Sequence, residues 1–215
     1  MAVGWPAILV DGSIKLRPIR RRDQRDWIAL RQRNVAWLSP WDGTPPNPGD
    51  EPSSFGHMVR GQLAAARAGQ GLPFLIEYDG ELAGAVSVNN IVRGSAQFAS
   101  VGYWIGQEFA GRGIMPRAVA LVIDHCFRAV GLHRIEIAIR PENAASLRVV
   151  AKLGIPEVGY APRYLHIDGA WRDHRLFGIT VEECPQGLLA RLSHQSHQWS
   201  CDTPVKLVGD GRMSS

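Results

Sequence analysis

Cysteine is scarce in this chain: Cys126, Cys184 and Cys201 are the only three among 215 residues. An odd, widely spaced set excludes a disulfide scaffold and suits a reducing, cytoplasmic setting. No apolar run approaches the ~18 residues that read as a membrane-spanning helix. The N-terminus lacks a charged region followed by an apolar stretch, so no signal peptide is expected. His194-x-x-His197-x-x-x-Cys201 has loosely ligand-like spacing. It lies in a polar, aperiodic stretch with no fourth partner, so no metal is expected. Interleaved basic and aromatic residues of an RNA-binding type are absent too. The densest basic cluster, Arg17, Arg20, Arg21, Arg22 and Arg25, is interrupted by Asp23 and Asp26 and reads as a solvated helix start.

What is present describes an ordinary globular protein: 45% hydrophobic, 20% charged, formal charge +4 and pI about 9.2. The basic balance suits an anionic cofactor or a ribonucleoprotein surface, and equally suits solubility. There is no internal repeat and no interdomain linker. A single domain is expected over residues 1–192, followed by a polar, disordered tail over residues 193–215.

The pattern predicts a strand at Ile14–Ile19 and a helix over Asp23–Val35. A proline-broken loop, Trp37 to Pro46, spends two tryptophans. A helix over Ser53–Ala68 precedes a hairpin, Phe74–Tyr78 and Leu82–Val92, turned at Asp79-Gly80. A long strand, Phe98–Ile105, runs into a glycine turn and a helix over Arg112–Val130. Next come a strand at His133–Ile139 and a helix capped by Asn143 and ended by Gly154. A second hairpin, Glu157–Ile167 and Trp171–Ile179, turns at Asp168-Gly169. Thr180-Val181-Glu182-Glu183 resembles a capping box that opens a last helix to Leu192. Hairpins mixed with helices indicate an α+β sheet.

The informative stretch is Gly106-Gln107-Glu108-Phe109-Ala110-Gly111-Arg112-Gly113-Ile114-Met115. Free N–H groups at a helix start, with no Cβ in the way, form a seat for a phosphate. The span from Gly106 to Gly113 nearly spells a P-loop. However, Arg112 replaces its lysine and Gly113 its magnesium-binding hydroxyl, which excludes that chemistry. A dinucleotide fingerprint fails because Pro116 takes the place of its third glycine.

In this order the motifs resemble the GNAT superfamily of acyl-CoA N-acyltransferases, from Ile14 to Glu183. The acetyl-CoA motif, [Gln/Arg]-x-x-Gly-x-[Gly/Ala], is matched at Gly111-Arg112-Gly113, with Glu108 at the first position as a departure. Leu38-Ser39-Pro40-Trp41, Asn90 to Ser95, Gly102 to Gly106, Pro141-x-Asn143-x-x-Ser146 and Leu165-x-Ile167-Asp168-Gly169-x-Trp171-Arg172-Asp173-His174 are similar to one subgroup. That subgroup is the RimJ-type ribosomal-protein-alanine N-acetyltransferases. The resemblance implies a mixed, mostly antiparallel sheet of six to seven strands, splayed centrally and flanked by helices. It also implies acetyl transfer from acetyl-CoA to a protein N-terminal α-amine, classically alanine on a ribosomal protein.

Residue roles follow from the resemblance alone. It implies that Gly102, Tyr103, Trp104, Ile105, Glu108, Gly111, Arg112, Gly113, Ile114, Met115, Asn143 and Ser146 line the cofactor. An N–H near Gly102 or Tyr103 would serve the thioester carbonyl. Ser146 is the candidate to protonate the leaving thiolate, with Tyr164 second and Tyr160 weaker. Asn143 is also a good N-cap. Trp37, Trp41, Asn90, Asp168, Trp171 and Asp173 are candidate acceptor contacts, and Asp168, Asp173 and His174 candidate proton relays. The glutamate that many relatives carry before the turn is replaced by Ser100. An α-amine titrating near 7.7–8.0 costs only about 1–1.4 kcal/mol to deprotonate at pH 7, a lysine about 4.6 kcal/mol. The missing acid therefore leans toward an α-amine acceptor. Two other readings stay open: transfer to a small amine or antibiotic, and a CoA-binding ribosome-assembly factor without transfer activity.

Overall fold

The computed structural model describes residues 2–50 and 54–201. Eight strands form one sheet in the order β1-β2-β3-β4-β5-β6-β8-β7. They are β1 (Leu9–Asp11), β2 (Ile14–Pro18), β3 (Leu72–Tyr78), β4 (Glu81–Val92), β5 (Phe98–Ile105), β6 (Arg134–Ile139), β7 (Glu157–Ile167) and β8 (Ala170–Thr180). This is one or two more than the six to seven expected. The addition is β1, three residues long and too short to show an alternating pattern. All neighbours pair antiparallel except β5 and β6.

Helices flank the sheet: α1 (Gln24–Arg33), α2 (Val35–Leu38), α3 (Phe55–Arg67), α4 (Ile114–His125), α5 (Ala144–Leu153) and α6 (Leu188–Cys201). Alternation along the strands sorts two faces. Phe74, Ile76, Val86, Val88, Ala99, Val101, Ile135 and Ile137 join one cluster with α4 and α5. Leu75 and Ala85 point the other way and meet Phe55 and Val59 of α3. The first face holds the larger core. Ala118, Val119, Ala120, Val122 and Ile123 of α4 are wholly buried there, which explains the helix's near-continuous apolar sequence.

Several boundaries differ from the sequence reading. The helix expected over Arg112–Val130 begins at Ile114, and Cys126–Val130 winds as a π-turn closed by Gly131. The loop from Trp37 contains helical turns, Val35–Leu38 and Ser39–Trp41. Thr180 does cap, but it caps the short 3-10 turn Val181–Glu183. The last helix starts later, at Leu188, where Asp124 of α4 accepts from the N–H groups of Leu188 (2.7 Å) and Leu189 (3.2 Å). Its backbone continues to Cys201, where a disordered tail from Ser193 was expected. Residues 202–215 of that expected tail lie outside the described residues. Among the described residues no helix is long and apolar enough to cross a membrane, and no three His, Cys, Asp or Glu side chains group as a metal site.

Candidate active site

The sheet opens where β5 and β6 part. Only Phe98↔Arg134, Ala99↔Ile135 and Ser100↔Glu136 pair in parallel. From Val101 to Ile105 and from Ile137 to Ile139 the two strands do not pair with each other, although β4 and β8 hold their outer edges. The backbone groups facing this gap are therefore available to an extended ligand.

Beyond the gap lies the glycine turn. Gly111 and Gly113 both have φ +78, a left-handed conformation that an L side chain adopts at a cost, and a Cβ on either would meet nothing within 4 Å. Gly113 is the N-cap of α4, without a capping side chain. The N–H groups from Gly111 to Met115 take no backbone acceptor among the described residues. Ile114 and Met115 send their side chains into the core, so they present only amides to the turn. Arg112 is exposed at its tip. Open space, free donors and the dipole of α4 together suit a diphosphate, so the residues present fit coenzyme A.

The side chain of Glu108 is engaged elsewhere. It accepts from Arg33 Nε (2.6 Å) and Asn34 Nδ2 (3.0 Å), fastening α1 and α2 to the turn. Burial pushes its carboxyl up, but these hydrogen bonds and the Arg33 charge outweigh it and hold the pKa below the usual range. The departure from the family motif thus carries a structural role, and leaves the turn's donation to the backbone.

On the α4–α5 side of the gap, the Tyr103 hydroxyl and Ser146 Oγ lie 2.8 Å apart. Burial pushes the Tyr103 phenol up to about 12, against a smaller opposing effect of the Ser146 hydrogen bond. Asn143 Oδ1 accepts from the Ser146 N–H at 3.0 Å, the N-cap of α5, and so fixes the height of Ser146. Tyr164 is apart from this pair. It is half exposed on β7, with its ring 5.8 Å from that of His174.

The opposite face holds Ser100, Gly102 and Trp104 by alternation. Sequence reasoning missed Glu136, which stands across from Ser100 at the last paired position. Ile135, Ile137 and Ile139 belong to the α4–α5 core, so Glu136 projects to the same face as Gly102. Its Oε1 accepts from Arg134 Nε at 2.7 Å. The signal was the apolar alternation Ile135-x-Ile137-x-Ile139 with an acid at an out-facing place.

Nearby on this face is a cavity of about 410 Å³. Trp27, Met58, Leu75 and Trp104 form its apolar walls, and Arg31 and Asp42 face each other on its rim. Trp104 therefore turns its indole to this cavity and offers the gap only its backbone.

The remaining candidates, Trp37, Trp41, Asn90, Asp168, Trp171 and Asp173, do not line the cavity; each makes contacts outside it. Trp37 Nε1 donates to the Ile105 carbonyl at 3.0 Å, and the Arg140 guanidinium stacks 5.3 Å from the Trp41 ring. Gly43 bridges to Ile167, and Thr44 Oγ1 meets His166 Nδ1 at 2.9 Å. Asp168, at φ +47, donates its N–H to the Asp42 carbonyl (3.1 Å). These contacts join residues 42–44 to the β7–β8 hairpin as one wall. Asp173 accepts from the Tyr160 hydroxyl (2.6 Å) and the Arg163 N–H (2.8 Å), closing a bulge in β7. Trp171 is exposed and packs edge-on to His166. Asn90, at φ +53 in a bulge of β4, lies 3.4 Å from Ser100 Oγ. His174 is buried, and burial lowers its pKa. Cys126 is buried in α4's continuation with its thiol pushed up to about 12, so it is no nucleophile.

Comparison with known proteins agrees with this geometry. The acetyltransferase (GNAT) domain family matches residues 13–155. RimJ of Mycobacterium smegmatis, solved in complex with CoA-disulfide, is 40% identical with a TM-score of 0.86, covering 91% of this chain and 98% of that one. Among curated proteins, a probable N-acetyltransferase, YjcK, of Bacillus subtilis is 42% identical over 47% of this chain and 56% of its own length. The [ribosomal protein uS5]-alanine N-acetyltransferase of Escherichia coli is 39% identical over 50% of this chain and 55% of its own. The matches thus span about half the length of these curated relatives. The chain belongs to the GNAT acetyltransferase family, with RimJ-type relatives among its most similar proteins.

Proposed function

We propose that this protein transfers acetyl from acetyl-CoA to the N-terminal α-amine of a protein, an alanine-start ribosomal protein being the reading that the relatives support. The observation that carries it is the division of labour across the gap between β5 and β6. Tyr103 and Ser146 lie on one side, 2.8 Å apart. Glu136 and the tryptophan-walled cavity lie on the other. The diphosphate is held by the amides of residues 111–115, and the pantetheine lies along the unpaired edges of β5 and β6. The acceptor amine enters from the cavity side and attacks the thioester carbon. An N–H near Gly102 or Tyr103 stabilises the developing oxyanion. As the C–N bond forms, the amine's proton passes through water to Glu136. As the C–S bond breaks, Ser146 Oγ–H protonates the sulfur and Tyr103 resupplies Ser146; water then returns a proton to Tyr103 as Glu136 gives up the one it took. A ribosomal acceptor also places the protein in the cytoplasm.

Transfer to a small polycation fits less well. Among the described residues Asp42 is the only acid on the cavity lining, and it is already paired with Arg31. The test is acetylation of peptides starting with alanine, serine or threonine, of the same peptides blocked at the α-amine, and of spermidine, read by mass spectrometry. Product on free alanine-start peptides and none on blocked ones is expected. Acetyl-CoA binding without product on any amine refutes transfer, and faster product on spermidine refutes the α-amine acceptor.

A further inference from the structure

The cavity beside Trp104 has a composition that selects. Its walls are Ile19, Trp27, Met58, Leu75, Ala85 and Trp104. Trp27 and Trp104 meet edge to face, 6.4 Å between centroids. Among the described residues the two charges on the lining cancel, because Arg31 is ion-paired to Asp42. The Arg31 guanidinium also stacks on both indoles, 5.7 Å from Trp27 and 5.1 Å from Trp104. Three contacts thus hold Arg31 in place, and the pair already satisfies both of its charges. Gln62 and Ser87 add uncharged polar groups.

Distance assigns the occupant. Gly102 and Trp104 are two residues apart on β5, about 6.6 Å at the usual strand rise. An acceptor whose amine sits over Gly102 has its second Cα about 5 Å further along. Its second side chain therefore arrives at Trp104. A volume of about 410 Å³ holds that side chain with room for the backbone beside it.

We infer that this cavity receives the second residue of the acceptor protein and selects an uncharged, apolar side chain there. The inference rests on the α-amine acceptor proposed above. A lysine or glutamate entering the cavity would be stripped of water without a free counter-charge, which costs far more than an apolar side chain loses.

The experiment measures kcat/KM for alanine-start peptides that differ only at position two: leucine, methionine, lysine or glutamate. Leucine and methionine are expected to exceed lysine and glutamate by about tenfold or more. Gln62→Trp, a partly exposed position on α3, fills the cavity. It should collapse the preference for leucine to within about twofold of lysine, while acetyl-CoA affinity and the melting temperature stay near wild type. Should Gln62→Trp fold poorly, Gln62→Phe serves with the same expectation. A flat profile, a preference for lysine or glutamate, or a preference that survives Gln62→Trp overturns the inference alone. Absence of product on every α-amine peptide overturns the proposed function, and this inference with it.

Discussion

Gly113→Ala tests the phosphate seat with its own control built into the same helix. Gly113 stands at the N-terminus of α4 with φ +78, and Gly131 closes the π-turn that continues α4, with φ +73. A Cβ at either place meets nothing within 4 Å, so neither alanine clashes with the protein itself. Both pay for a left-handed backbone, roughly 1–2 kcal/mol. In a domain this size that lowers the melting temperature by about 2–4 °C per kcal/mol. Stability therefore fails to separate the two variants, while ligand affinity separates them. If the amides of residues 111–115 hold the diphosphate, the new methyl at 113 intrudes on that seat. Loss of one hydrogen bond to a charged group costs about 1.5–3 kcal/mol, hence roughly a tenfold to hundredfold weaker Kd. Gly131→Ala should leave the Kd unchanged. Calorimetric titration with acetyl-CoA, on variants whose melting curves show them folded, gives both numbers. Equal Kd values for Gly113→Ala and wild type, or equal weakening in the two variants, would refute the assignment.

Four further outcomes are expected. Ser146→Ala keeps the Asn143 cap, which uses the backbone N–H, and should lower kcat by about a hundredfold with acetyl-CoA affinity intact. Glu136→Gln should lower kcat/KM by about tenfold or more near pH 6.5, with the defect shrinking toward pH 9 as the free α-amine predominates; a defect independent of pH would remove Glu136 from proton transfer. Tyr103 has its pKa raised from 10.0 to about 12, so its contribution to stability is whole below pH 10 and lost as pH rises toward 12. Wild type should accordingly lose melting temperature relative to Tyr103→Phe across that window, and parallel curves would count against a buried phenol. Asp124→Ala strips the acceptor from the N–H groups of Leu188 and Leu189 and should cost about 1–3 kcal/mol, with Asp124→Asn costing less; equal melting of Asp124→Ala and wild type would show that α6 needs no such cap.

Which features were legible follows from where the signals sit in the chain. Seven strands, the Asp79-Gly80 and Asp168-Gly169 turns, the Asn143 cap and the Gly154 stop are short-range signals, and the structure places each where the sequence does. The parting of β5 from β6 was legible only through family resemblance, because no local pattern announces an unpaired edge. Long-range partners were hidden. Glu108 looked like a phosphate contact until Arg33 and Asn34, more than 70 residues earlier, claimed its oxygens. Trp37, Trp41 and Asp173 looked like acceptor contacts, and each has a structural partner far along the chain or across a bulge. Loop aromatics and acids satisfy either purpose, and composition does not distinguish them. Glu136 is hidden for the converse reason: the family pattern points to an acid on β5, while parallel pairing brings the neighbouring strand's acid to the same height.

That displacement bears on the choice of acceptor. Glu136 Oε1 already accepts from Arg134, which leaves Oε2 to take a proton through water. One relayed oxygen is modest equipment. Neutralising a lysine at pH 7 costs about 4.6 kcal/mol, a factor of more than a thousand in rate if nothing offsets it. An α-amine costs about 1–1.4 kcal/mol, roughly a factor of ten. General base assistance through a positioned group typically recovers about two to four powers of ten, so even its low end covers the α-amine and falls short of the lysine. On the proposed reading the preference for an α-amine rests on proton energetics, and a lysine-side-chain acetyltransferase built on this frame would need a stronger base.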